Sequence, residues 1–231
     1  MRRKQGWAVI GIVISGLLAG ILALSSSGAS AAWLLTPTPM PTEIVLFQDD
    51  FETYSNRWIE SRSPKSSATY GDGGLNFRVV SPGARLWSRP DFATPLDAYR
   101  IQARFIFYDG SLDSFMGLVL GYQDEDNFYA LTVSPQGEWR FEQYEQEDWI
   151  DLTPPDALPV TLPDDQATIS LQAEVSAESV ILTVNDSLAG TIPLEGALSG
   201  EFGAIVRAGH GFADVALEDM IVTYPAEESG S

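Results

Sequence analysis

The stretch from Ser114 to Trp149 constrains this chain more than any other, because its spacing of apolar, turn and aromatic residues fits only a run of antiparallel strands. Residues 115–122 and 128–133 are dominated by apolar, aromatic and β-branched side chains, which suit a pleated, half-buried surface. Between them, Asp124-Glu125-Asp126-Asn127 breaks the pattern, since short acidic and amide side chains bond their own backbone and favour turns. Ser134-Pro135-Gln136-Gly137 makes the next reversal: proline presets φ and the glycine takes positive φ without penalty. Residues 139–144 then alternate strictly. Trp139, Phe141 and Gln143 fall on one face, and Arg140, Glu142 and Tyr144 on the other. A short fourth strand ends at Trp149. Such a meander needs a second layer to cover its apolar face.

The rest of the body supplies that layer. Strands are expected at 44–48, 73–80, 85–88, 99–108, 167–175, 179–184, 188–192, 202–207 and 214–224. Within them Ile101, Ala103, Phe105 and Phe107 share one face, as do Ile169, Leu171, Ala173 and Val175. Asn185-Asp186-Ser187 reads as a hairpin turn. Pro154, Pro155, Pro159 and Pro163 exclude a central strand over 152–165 and predict a loop crossing between two sheets. No helix is indicated after residue 43, and no fixed-period repeat points to a propeller. The expected architecture is an all-β, two-sheet antiparallel sandwich over 43–225, preceded by one N-terminal hydrophobic helix.

Net charge is −19, and with Arg2, Arg3 and Lys4 set aside the remainder carries −22. A body so acidic is repelled by nucleic acid and by anionic lipid headgroups, so neither is an expected partner. Cysteine is absent, which excludes disulfides, thiolate metal sites, a cysteine nucleophile and a lipidated cysteine. Stability must come from burial in one large core. Arg2-Arg3-Lys4 precedes an uninterrupted apolar run from Trp7 to Leu24, a charged start followed by bilayer-length hydrophobicity. Two readings of residues 1–31 stand: a transmembrane anchor, or a signal peptide cut after the small residues Ala29-Ser30-Ala31. Either exports the body, leaving contact with the membrane only through that helix. Residues 32–42, with Pro37, Pro39 and Pro41, form an extended Pro/Thr-rich linker, and 226–231 a disordered tail.

The run GYQDEDNFYALTVSPQGEWRFEQY with Trp149 resembles the central strands of the concanavalin A-like (laminin G-like) jelly-roll superfamily of bacterial surface proteins. Phe47-Gln-Asp-Asp-Phe51 with Trp58 and the 215–222 segment fit its outer strands. The resemblance spans about Glu43 to Tyr224 and sharpens "sandwich" to "jelly roll". It implies that first and last strands pair, and that ligands are taken on the concave sheet.

Catalysis finds little support. The single histidine, His210, sits in a glycine-flanked loop with no Gly-x-Ser-x-Gly elbow. Glu142, Glu145 and Glu147 are the local carboxylate candidates, but the Glu-x-Asp-x-x-Glu pattern of the superfamily's hydrolases is absent. Sugars present apolar faces ringed by hydroxyls, so their sites combine aromatic platforms with polar side chains. Tyr122, Tyr129, Trp139, Tyr144 and Trp149 are the candidate platforms, and sequence alone does not choose which face is wet. Gly117 and Gly121 are expected to leave room beside them for a ligand or a bulky neighbour. Pairing of the terminal strands would bring Asp50 close to Asp219, a candidate calcium site if a cation offsets the repulsion. The expected function is an exported, non-catalytic domain that binds a glycan or another cell-surface component. The alternatives are a glycoside hydrolase with an unrecognised carboxylate pair and a structural spacer without a ligand.

Overall fold

The computed structural model describes residues 43–53, 57–91, 94–162 and 168–224. The expected N-terminal helix, the linker and the tail lie outside the described residues. Strands in chain order are β1 (Ile44–Asp49), β2 (Ser61–Arg62), β3 (Ser66–Gly71), β4 (Gly74–Val79) and β5 (Arg85–Ser88). They continue with β6 (Tyr99–Gly110), β7 (Phe115–Asp124), β8 (Asn127–Val133), β9 (Trp139–Glu145) and β10 (Asp148–Asp151). The last five are β11 (Thr168–Val175), β12 (Ser179–Val184), β13 (Ser187–Pro193), β14 (Glu201–Arg207) and β15 (Ala213–Tyr224). No helix occurs among the described residues.

These strands make two antiparallel sheets. One is nine-stranded in the order β13-β12-β11-β6-β15-β4-β3-β2, with β1 also on β15. β15 is shared along its length: Ala213–Leu217 pair with β4, and Met220–Tyr224 pair with β1. The chain's first and last strands therefore meet, as the resemblance implied. The other sheet is six-stranded, β10-β9-β8-β7-β14-β5. Its β7–β10 run is the expected meander in register, and β14 and β5 extend it beyond β7. The proline-rich segment leaves β10 in one sheet and leads to β11 in the other, without a strand among its described residues. Asn185 and Asp186 both take positive φ, the geometry of a tight hairpin turn between β12 and β13.

The core lies between the sheets. Ile101, Ala103 and Phe105 of β6 and Ile169, Leu171, Ala173 and Val175 of β11 project into it from one side, and Met116, Leu118, Leu131, Val133 and Phe141 from the other. Phe47, Phe51 and Trp58, the outer part of the recognised pattern, converge there: Phe47 lies 6.1 Å from Trp58 and 5.3 Å from Phe202, ring centre to ring centre. The short β2 and the β3 strand were not evident in the sequence. Ser66-Ser67-Ala68-Thr69 carries one small apolar residue, too weak a pattern to compete with loop chemistry, and it is tertiary pairing with β4 that makes it a strand.

Candidate functional site

Alternation in β7–β9 sends one set of side chains to the core and the other to the opposite, concave face of the six-stranded sheet. Leu131, Val133, Trp139 and Phe141 go inward. Phe128, Ala130, Val119, Tyr122, Tyr144 and Ile205 form a second apolar cluster of their own, with Trp87 and Trp149 packed against it. Phe128 is its centre. Its ring lies 5.2 Å from Trp87, 5.1 Å from Tyr144, 5.8 Å from Trp149 and 6.0 Å from Tyr122. The two tryptophans stay half-buried, while the residues beneath them are closed off from solvent.

Guanidinium groups cover this cluster. Arg85, on β5, reaches across the face to stack 4.9 Å from the Tyr144 ring and 4.5 Å from Trp149 on β10. β5 and β10 are the two edges of the sheet, so their side chains meet only because the sheet curls strongly toward this face. Arg89 lies 5.0 Å from Tyr122, and Arg140 and Arg207 stack on Phe115 at 4.5 and 5.2 Å. Cation–π contacts of this kind each contribute about 0.5–2 kcal/mol, more as water is excluded. Four of the ten lysines and arginines beyond residue 4 thus gather on one face of an acidic body.

Three of the four are ion-paired: Arg89 with Glu201 at 2.7 Å, Arg140 with Glu138 at 2.7 Å, and Arg207 with Glu142 at 3.3 Å. Arg85 forms no ion pair among the described residues. Its pKa is lowered, chiefly by burial and further by the neighbouring charge of Arg207, while the Tyr144 side chain and the charge of Glu142 pull the other way. Two hollows flank the Trp87–Phe128–Tyr144–Trp149 ridge. One, of ≈ 550 Å³, is lined by Arg85, Phe115, Arg140, Trp149, Arg207 and His210 among others. The second, of ≈ 370 Å³, includes Arg85, Trp87, Arg89 and Tyr122. Arg85 borders both. At the rim of the first, Asp113 meets the Ser111 hydroxyl and the His210 ring, which hold its carboxyl down at about 2.

The sequence candidates separate cleanly. Tyr122, Tyr144 and Trp149 belong to the concave cluster. Trp139 does not: it is buried between the sheets, its Nε1–H donating to the Leu158 carbonyl at 3.1 Å. Tyr129 also lies on the inner side, stacked on Phe141 at 5.6 Å with 10° between the rings. Alternation forces both outcomes once Phe128 and Tyr144 face outward. Gly117 leaves no room for a ligand, because a Cβ there would sit 2.1 Å from the Leu131 carbonyl oxygen; the neighbouring strand itself takes that space. Sequence reading passed over Trp87, Phe128 and the arginines. The alternation Arg85-Leu86-Trp87 was the available signal, since it puts a cation and an indole on one face of a short strand.

Asp50 and Asp219 are near enough for the charge of Asp50 to help raise the Asp219 pKa, though burial is the larger cause. A side-chain cation also stands beside Asp219. Arg104 bonds Glu218 at 3.1 Å and Asp219 at 2.6 Å, while the Asp50 carboxylate accepts the Glu52 N–H at 3.2 Å. Among the described residues no group of three or more histidine, aspartate or glutamate side chains is placed to hold a metal ion.

Arrangement and curvature together match known architectures. A Bacillus subtilis protein of unknown function with a galectin-like fold superposes with a TM-score of 0.59 at 12% identity, covering 80% of this chain and 98% of that one. The carbohydrate-binding module CBM66 from Bacillus subtilis gives 0.54 at 13% identity, covering 70% of this chain and 91% of the module. The catalytic domain of an endo-1,3-β-glucanase (laminarinase) from Thermotoga petrophila gives 0.54 at 9% identity, covering 82% and 100%. The fold is the concanavalin A-like jelly roll. No protein-family model matches the sequence, and neither does any curated protein. At these identities the likeness establishes the jelly roll and leaves the chemistry of its concave face to be argued from the residues on it.

Proposed function

We propose that this jelly-roll domain is exported and binds glycan, without catalysis, on the concave face of its six-stranded sheet. The observation that carries the reading is the pair of half-exposed tryptophans, Trp87 and Trp149, held over a closed aromatic floor and interleaved with arginine forks. Rigid indole planes match the apolar faces of pyranose rings, and fixed N–H donors beside them match hydroxyl oxygens. A spacer domain has no need of a second aromatic cluster on its solvent side. The names of structural neighbours, a carbohydrate-binding module and a laminarinase, agree with a sugar ligand. Export rests on the charged start and apolar run of residues 1–31.

Hydrolysis is the second reading, and one observation favours it: Glu142 on β9 stands directly opposite Asp151 on β10. Both carboxylates are engaged, however. Glu142 is buried in its ion pair with Arg207, and the Asp151 Oδ1 accepts the Thr153 N–H at 2.9 Å. The other positions flanking Glu142 on that face hold Arg140, Tyr144 and Ala130, which carry no acid. A general acid must be free to hold and release a proton at the scissile oxygen.

The test is affinity electrophoresis of the full chain through a panel of polysaccharides. Binding that Trp149→Ala and Trp87→Ala each weaken at least tenfold, with near-UV circular dichroism otherwise preserved, is expected. A folded chain that no polysaccharide retards would overturn the reading. Release of reducing ends that Glu142→Gln abolishes would establish the hydrolase instead.

A further inference from the structure

The character of the groove says more about the ligand than that it is a sugar. Resting on the glycan-binding reading above, we infer that the ligand is an acidic polysaccharide, and that the Arg85 guanidinium seats the carboxylate of a hexuronate unit. Three arginines line the ≈ 550 Å³ hollow, and two of them are ion-paired: Arg140 with Glu138, Arg207 with Glu142. The other acid lining it, Asp113, is engaged by Ser111 and His210 at the rim. Arg85 alone lacks an ion-pair partner among the described residues. It lies over the rings of both Tyr144 and Trp149 and borders both hollows.

A half-buried cation with no ion pair of its own among the described residues, near only a Glu142 already paired with Arg207, is costly unless something compensates it. Stacking on two rings supplies part of that compensation. A carboxylate completes it, because the planar fork of a guanidinium matches the two oxygens of a carboxylate in a bidentate pair. Trp149, in contact with Arg85, leaves a partly exposed indole beside the place that the uronate ring would take. The same face of the sheet holds one more polar atom without a partner. Thr132, only 4% exposed and between Gly117 and Arg140 on the concave side, has no partner for its Oγ1 among the described residues. A neutral glucan would leave Arg85 without an ion pair of its own; a uronate would supply one.

The experiment compares retardation of the full chain in polygalacturonate, in the same polymer after its carboxyls are reduced to alcohols, in laminarin and in dextran sulfate. Retention is expected in polygalacturonate, with at least a tenfold loss on carboxyl reduction and a comparable loss in Arg85→Gln. Arg85→Lys, which keeps the charge but not the fork, is expected to recover only part of it. Carboxyl reduction changes the ligand and not the protein, so its result stands even if a variant folds poorly. Equal binding of the reduced polymer or of laminarin overturns this inference while leaving the glycan-binding reading intact. Dextran sulfate binding as tightly as polygalacturonate overturns the carboxylate assignment, and no retention by any polymer overturns both.

Discussion

This molecule carries two aromatic clusters on opposite sides of one sheet, and they differ in their company rather than in their burial. Phe47, Phe51, Trp58 and Phe202 meet at the end of the inter-sheet core, where Tyr70 adds its ring to Phe51 and its hydroxyl accepts the backbone N–H groups of Arg57 and Trp58. Phe128, Tyr122 and Tyr144 are scarcely more exposed than those core residues. Yet among the described residues one arginine borders the first cluster, Arg57 at 4.7 Å from Phe47, and two, Arg85 and Arg89, stack on rings of the second, with tryptophans left partly open. Burial alone would class both as packing. Neighbouring charge and the partly exposed rims of Trp87 and Trp149 set the second apart, and the proposed glycan site rests on that difference.

The comparison can be broken in steps. Phe47→Ala should lose about 3–5 kcal/mol of folding free energy by chemical denaturation, as large-to-small changes in a closed core do, with glycan retention unchanged below the transition. Phe128→Ala should lose about 3 kcal/mol and, unlike Phe47→Ala, also abolish retention, because the tryptophans lose the floor that positions them. If both variants merely destabilise, the concave cluster is a second core and no more. Trp149→Ala reverses the balance: its ring is half exposed, so about 1 kcal/mol of stability is expected to go while binding falls at least tenfold. Removing the charge in Glu142→Gln leaves Arg207 without its partner and should cost about 1–2 kcal/mol.

The smallest effect is in pH, and two acids should pull in opposite directions. Asp113 is held down at about 2, first by the Ser111 hydroxyl and then by His210. Its contribution is present above the unfolded value of about 4 and is lost as pH falls toward 2. Asp219 is raised, mainly by burial, so it favours the fold at low pH and loses that contribution as pH rises through its folded value. Denaturation midpoints between pH 2 and 6 should therefore fall less steeply on acidification in Asp113→Asn. In Asp219→Asn the decline on raising pH should disappear. Unchanged profiles in both would remove these two carboxyls from the acid response.

How far the sequence reached follows from the range of the interactions concerned. Period-two alternation, Asn185-Asp186 and Pro135-Gln136-Gly137 are local signals, and the strands and turns they predict are found with ends shifted by a residue or two. β3 escaped because Ser66-Ser67-Ala68-Thr69 has no local preference strong enough to announce it. Alternation also sorted Trp139, Phe141 and Gln143 from Arg140, Glu142 and Tyr144, but a period of two carries no sign: it separates the faces without saying which is dry. Only the second sheet, laid over Trp139 and Phe141, decided that. The groove was further out of reach, because Arg85 and Trp149 are 64 positions apart, on opposite edges of their sheet. Local order was set by φ preferences and side-chain pattern along the chain. The meeting of Arg85, Tyr144 and Trp149 was set by strand order and by the curl of the sheet, which no run of neighbouring residues encodes.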